Sequence, residues 1–215
     1  MTDLSAFQHP RFARFYERIS AESERRGTAE HRDRTLVGLS GRVIEVGAGN
    51  GLNFARYPAA VTEVVAVEPE NALRALAESA AASAPVPVTV VAGHGDALPF
   101  DDASFDAAVV TLVLCSVPKP GHFLAEVRRV LKPAGQLRFF EHVRSSRKLL
   151  GVLQDVITPP WSAIGGGCHL NRDSRAAIEA AGFEIDELDR FSYRPLKFAP
   201  SQAHILGRAH KPGPH

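Results

Sequence analysis

Arg42-Val43-Ile44-Glu45-Val46-Gly47-Ala48-Gly49-Asn50-Gly51 is the stretch that decides how this chain folds. Val43, Ile44 and Val46 make a short apolar run that reads as a buried strand, and three glycines at alternate positions follow it. Glycine lacks a Cβ, so the backbone there can take positive φ and come close to a ligand. A helix is expected to start near Leu52, where unpaired N–H groups would attract a carboxylate or phosphate. Strand, glycine turn and helix together form the nucleotide corner of an open α/β sheet. The spacing is Gly-x-Gly-x-Gly, and the third glycine of a dinucleotide fingerprint would fall at Leu52.

Working outward, Val61 to Val67 reads as the next strand. Glu68 closes it, about 20 residues beyond the turn, where a carboxylate can take both hydroxyls of a ribose. Ala72 to Ala84 is an alanine-rich helix and Pro87 to Ala92 a third strand. Phe105 to Leu114 is a nearly unbroken apolar run, as in a central parallel strand covered on both faces. Gly121 to Leu131 has helical spacing, and Gln136 to Val143 is the fifth strand. Such alternation means a parallel sheet with right-handed crossovers.

Phe12, Phe15, Tyr16 and Ile19 fall on one face of an N-terminal helix, and a second helix covers Glu30 to Leu39. Leu149, Leu150, Leu153, Val156 and Ile157 form an apolar helical face, expected to pack on the sheet or roof a pocket. Thr158-Pro159-Pro160-Trp161 is expected to end that helix. A glycine-rich loop at 165–170, a helix at Ser174 to Ala181 and two terminal strands follow; the strands are expected to add an antiparallel strand at the sheet edge. The expectation is a Rossmann-like, doubly wound α/β fold: a mostly parallel seven-stranded sheet with an antiparallel C-terminal strand and N-terminal helices. One domain spans 1–215, with a helical cap at 1–40, a ligand-binding core at 41–143 and substrate-side helices and terminal strands at 144–215.

Composition narrows the function. A net charge of +1 provides no field to draw in nucleic acid. Two cysteines, Cys115 and Cys168, are too few for a disulfide scaffold or a structural zinc site. No apolar run reaches bilayer-spanning length, and Met1 to Pro10 is polar, so the sequence predicts a cytoplasmic protein with no integral membrane segment.

Ligands in such a sheet bind beyond the carboxyl ends of the strands. The candidates there are Glu45 and Gly47 to Gly51, Glu68 with Pro69, Gly93-His94-Gly95-Asp96-Ala97-Leu98, Leu114-Cys115-Ser116, and Glu141-His142. The glycine turn with Glu68 resembles motif I and the acidic residue of class I S-adenosylmethionine (SAM) methyltransferases. Asp96-Ala97-Leu98-Pro99-Phe100, with Ser104-Phe105-Asp106 downstream, resembles the adenine-side motif of their small-molecule members, the methyltransferase type 11 group. Val130-Leu131-Lys132-Pro133-Ala134-Gly135 resembles their turn into strand five, with Ala134 in place of the usual glycine. Thr111 to Val117, Phe140-Glu141-His142-Val143, Pro160-Trp161, Gly167 to Arg172 and His204 to Gly207 are similar to the methyltransferase-like family of alkyl thiol S-methyltransferases. The animal members of that family carry an N-terminal membrane-anchoring segment, to which nothing in these residues corresponds.

The resemblance implies SAM as cofactor, S-adenosylhomocysteine as product and no metal. It implies a cofactor site of Glu45, Gly47, Ala48, Gly49, Asn50, Gly51, Glu68, Pro69, Gly95, Asp96, Ala97, Leu98, Thr111 and Leu112. Asp96 would accept the adenine amine and Leu98 lie against the ring. The acceptor is a small molecule, an alkyl thiol or else a phenolic or quinone-like metabolite, in a pocket of Phe15, Tyr16, Cys115, Ser116, Trp161 and Cys168. His142 is the first candidate base and His169 the second. Each has a plain alternative: a structural histidine, a loop residue or, for the cysteines, a small hydrophobe. A silent SAM-binding module and a nicotinamide oxidoreductase are the other function classes the pattern leaves open.

Overall fold

The computed structural model describes residues 3–213. Its seven strands are β1 (Gly41–Val46), β2 (Val61–Val67), β3 (Val88–Val91), β4 (Phe105–Thr111), β5 (Leu131–His142), β6 (Glu184–Tyr193) and β7 (Gln202–His210). They form one sheet in the order β3-β2-β1-β4-β5-β7-β6. The first five are parallel, and β7 runs antiparallel to both β5 and β6. The direction of winding reverses between β1 and β4, so their carboxyl ends open the crevice in which such sheets bind ligands.

Strand alternation builds two cores. On one face Ile44, Val46, Val65, Val67 and Val110 pack with Phe123, Leu124 and Val127 of α4 (Pro120–Val130). On the other, Val43, Val64, Ala66 and Val109 pack with Leu36, Leu39 and Phe54. Four further helices are α1 (Pro10–Ser23), α2 (Ala29–Leu36), α3 (Asn71–Ala81) and α6 (Ser174–Ala180); the seventeen-residue α5 is Lys148–Ile164. Gly27, at φ +114°, makes the bend between α1 and α2.

Three local expectations are corrected. No α-helix starts at Leu52; a single 3-10 turn at Phe54–Arg56 stands there. The side chains of Asn53 and Tyr57 turn inward to bond Glu45, and Pro58 soon follows, so the segment does not propagate as a helix. Next, α5 does not end at Thr158 but continues through Pro159 and Pro160. The carbonyls that lose a donor there belong to Asp155 and Val156, which are exposed and can bond water. Its apolar residues are not buried against the sheet: Leu149 is 87% exposed and Val156 69%. As expected, the terminal strands add an antiparallel pair at the sheet edge, β7 against β5 and β6 outermost. Among the described residues, no helix is long and apolar enough to cross a membrane.

Beneath α2, the rings of His31, Phe140, Phe191, Tyr193, His142 and His204 form one cluster, with His142 and His204 5.3 Å apart. Burial pushes the His142 imidazole down to about 4, and burial together with the neighbouring His142 pushes His204 down to about 3. The unfolded chain therefore binds more protons than the native one from pH 6.5 down to these values, and the two histidines make stability fall as pH falls through that window. For His142 the loss is on the order of 3 kcal/mol by pH 4. A His142→Phe, His204→Phe double variant is expected to lose much of the acid-side drop in Tm measured by calorimetry. An unchanged pH dependence would place the cause elsewhere.

Candidate functional site

The crevice begins at the glycine turn. Gly47 sits at φ +79°, and a Cβ there would lie 2.7 Å from Val113. Gly51 sits at φ +78°, with the Phe54 ring 2.8 Å from its Cβ position. Both positions combine a left-handed backbone with no room for a side chain. The Gly47 and Ala48 N–H groups donate to the Val67 carbonyl, at 2.8 and 3.2 Å, which anchors the turn to β2.

Behind the turn lies a buried polar network. Glu45 accepts hydrogen bonds from Tyr57 Oη (2.7 Å) and Asn53 Nδ2 (2.9 Å). Asn53 Nδ2 also reaches Thr111 Oγ1, and Asn53 Oδ1 accepts from Arg32 of α2. Arg32 donates in turn to Glu24 at 2.9 Å. Burial raises Glu45 to about 7 in spite of these donors and the Arg32 charge. Glu45 is thus placed under the turn, supporting it. Asn50 Nδ2 reaches Ser20 of α1 at 3.3 Å.

At the end of β2 the Glu68 carboxylate accepts the N–H groups of Gly49 (2.8 Å) and Glu70 (3.0 Å). Burial, the largest effect, raises its protonation above the ordinary carboxylate range. The Tyr16 ring of α1 covers Gly49, 3.6 Å from the position of a Cβ. Gln8 Nε2 donates to the Pro69 carbonyl at 2.8 Å, and Phe7 stacks on His94 at 4.8 Å. Beyond β3, a Cβ on Gly95 would strike Phe123. The chain turns through a His94–Ala97 bridge, and Leu98 is buried with its N–H on Glu126. Asp96 Oδ1 is buried with no partner. A bare glycine cradle, a buried acid one strand over and an orphaned acceptor at Asp96 fit an adenosyl group with an amino-acid tail.

The other side of the crevice is the end of β4. Leu112 takes φ +59° and donates its N–H to the Phe140 carbonyl at 2.7 Å. Glu141, fully buried, accepts the N–H groups of Val113, Leu114 and Cys115. Burial is the main cause that holds its carboxyl well above the usual range, and Cys115 adds to it. The 165–170 loop closes on this end. His169 N–H donates to the Cys115 carbonyl at 2.7 Å, and Gly167 leaves only 3.0 Å between its Cβ position and Ser116 O. These two approaches set Cys168 beside the Cys115 segment. Phe12 covers Gly166.

The expected residues are therefore gathered unevenly. Tyr16, Cys115, Ser116, Trp161, Cys168 and His169 converge, whereas Phe15 is 48% exposed on the outer side of α1. The two histidines differ. His142 is packed in the aromatic cluster with Nδ1 unpartnered, while His169 holds Nδ1 2.7 Å from the Gly167 carbonyl. Sequence reading gave no role to Gln8, Asn53, Arg172 or Glu141. Glu141, at a strand end, carried a positional signal, and Arg172 lay in the Gly167 to Arg172 stretch of the family resemblance. Arg172 donates to the carbonyls of Leu114 and Val117, a long-range contact with no local signature.

Comparison with known proteins agrees with this geometry. Residues 44–139 match the family described as a methyltransferase domain. The thiol S-methyltransferase TMT1B of Rattus norvegicus is 40% identical over 182 residues, covering 82% of this chain and 74% of the relative. The human thiol S-methyltransferase TMT1A is 36% identical with the same coverage. Among solved structures, a SAM-dependent methyltransferase of Thermotoga maritima superposes with a TM-score of 0.71 at 23% identity, covering 94% of this chain and 97% of that one.

A Gly47→Ala variant must hold a left-handed backbone and displace Val113, a strain of order 1–3 kcal/mol. Its Tm is expected to fall, whereas Gly121→Ala, on α4 with nothing within 4 Å of a Cβ, should leave Tm unchanged or raise it. Equal responses would show that the turn does not need its bare backbone.

Proposed function

The chain belongs to the class I SAM-dependent methyltransferases, and on that premise we propose that it methylates the sulfur of a small alkyl thiol. One observation carries the thiol reading: the 40% identity to a thiol S-methyltransferase covers 82% of the chain, so it extends past the cofactor half into the acceptor side. A cofactor motif shared by many reactions would not require that.

In this reading Gly47 to Gly51 hold the amino-acid end of SAM, Glu68 with Pro69 the ribose, and Gly95 to Leu98 the adenine. Thr111 and Leu112 border the reacting end. Bound there, SAM supplies an already activated sulfonium methyl group. The protein aligns the acceptor and excludes water, and such alignment is worth roughly 7–11 kcal/mol. Phe12, Tyr16 and Trp161 are suited to the exclusion, and the Cys115, Ser116 and Cys168 edge to an uncharged, soft acceptor. A thiol, with pKa near 8.5, is already a few per cent ionised at neutral pH, so little base strength is demanded. His142, held at about 4, is too weak a base for that proton. His169, on the loop that closes over this edge, is the residue this reading assigns to take it, and His142 is left to the ring cluster. Small thiols are plentiful in a reducing cytoplasm, the compartment this reading favours.

Methyl transfer to a panel of alkyl thiols, set beside phenols and quinols, tests the acceptor. Turnover of thiols alone is expected; turnover of a quinol with no thiol methylated would replace sulfur by oxygen or carbon. Glu68→Ala should weaken SAM binding by about 1–3 kcal/mol, the value of charge-assisted ribose bonds. Calorimetry finding no SAM binding to the unaltered protein would remove the whole reading.

A further inference from the structure

The only two cysteines of the chain are brought near each other although they are distant in sequence: the His169 N–H, next to Cys168, bonds the Cys115 carbonyl. Cys115 is buried just beyond β4; its Sγ lies 3.6 Å from the Leu112 carbonyl and 3.5 Å from Ser116 Oγ. Cys168 is half-buried on the 165–170 loop. Backbone contacts on both sides of Cys168 fix this meeting: His169 bonds Cys115 itself, and Gly167 abuts Ser116. A backbone hydrogen bond between adjoining segments brings them to the spacing of paired strands, about 5 Å. That is within the Cα separation a disulfide bridges.

We propose that Cys115 and Cys168 are a reversible dithiol–disulfide pair whose oxidation by a small-molecule disulfide staples the 165–170 loop to the end of β4. Cys168 acts first. It is the more accessible, and the neighbouring Cys115 lowers its thiol below the usual range, whereas Cys115 is held well above it. The Cys168 thiolate attacks one sulfur of the disulfide, forming a mixed disulfide and releasing one small thiolate. Cys115 then gives up its proton, and its thiolate attacks the Cys168 sulfur and expels the second. Two protein thiols are oxidised, one small disulfide is reduced to two thiols, and the two protein protons end on the released sulfurs. Excess small thiol reverses both steps.

The pair rests on the proposed function only through its place beside the acceptor side; the bond itself would form whatever the acceptor. In the stapled form the loop bearing His169 cannot move away from Ser116. A thiol-rich medium, the condition in which acceptor is abundant, keeps the loop free. The released thiols belong to the acceptor class proposed above.

The test uses the full chain reduced with a phosphine, because a thiol reductant would itself serve as acceptor. Treatment with 2-hydroxyethyl disulfide is expected to give a protein lighter by two hydrogens, with the Cys115 and Cys168 peptides linked after digestion. Cys115→Ser should instead accumulate a mixed disulfide on Cys168, and Cys168→Ser should react roughly ten-fold or more slowly at Cys115. Methyl transfer by the oxidised protein should drop to a small fraction and return with phosphine. Mixed disulfides on both cysteines of the unaltered chain, a bond between two chains, or a linked protein with undiminished turnover would each overturn the proposal. The peptide link is read without SAM, so its outcome stands apart from that of the methyltransferase assays.

Discussion

A carboxylate with no access to water sits under the glycine turn, and much of the molecule is arranged to satisfy it. Glu45 would be costly to bury alone. Tyr57 and Asn53, from the segment after the turn, supply its donors, and Asn53 also draws in Arg32 of α2 and Thr111 of β4. Four elements are thereby tied to one point behind the crevice. The same demand explains the missing helix after Gly51: side chains that must point inward at Asn53 and Tyr57 leave only a 3-10 turn between them. The network also counters the histidine cluster. Glu45 protonates near 7 in the folded chain and near 4.5 unfolded, so between these values it favours the native state as pH falls. Burial of His142 and His204 acts in the opposite sense over an overlapping range.

The absence of that helix also bears on which nucleotide suits the crevice. A pyrophosphate is usually received by the N–H groups of a helix start. Here the amide of Gly49 is taken by Glu68, and Glu68 and Asp96 border the same rim. An acidic rim without a helix N-terminus repels phosphates and suits a cofactor carrying ribose hydroxyls, an adenine amine and a positive sulfonium. The acid at the end of β2 can hold the turn and still offer lone pairs to a ribose, because a carboxylate has about four acceptor positions.

The parts of the fold legible in the sequence were those set by short-range periodicity. The unbroken apolar runs of β1, β2 and β4 marked strands buried on both faces, and the alternating glycines marked the turn. Ala134, at φ +60°, holds the left-handed position that the missing glycine led one to expect. What escaped reading was decided by solvent and by partners that the local pattern does not show. Pro159 and Pro160 looked like a helix end, yet the solvated carbonyls before them let α5 continue. β6 and β7 read as an edge pair, but their order in the sheet depends on which of them meets β5. The proposed cofactor residues stand at strand ends, where position alone suggests them. The proposed acceptor side depends on Arg172, Gly166 and Phe12, whose contacts span the chain.

That acceptor side is held by strain countered from one residue. Leu112 is a non-glycine residue in the left-handed region, a conformation costing about 1–2 kcal/mol. Such a residue persists where its surroundings over-determine it. Here its N–H is fixed by Phe140, and the next three amides all converge on the buried Glu141 carboxyl. Reversing the chain at Leu112 carries Val113 onto the Gly47 backbone and Cys115 against the 165–170 loop. One alternation of β5 therefore points its last two residues apart: Glu141 to the β4 loop amides, under the proposed acceptor side, and His142 the other way into the ring cluster. The two neighbouring residues, both candidates by position, divide into a scaffold for the β4 loop and a support for the helical cap.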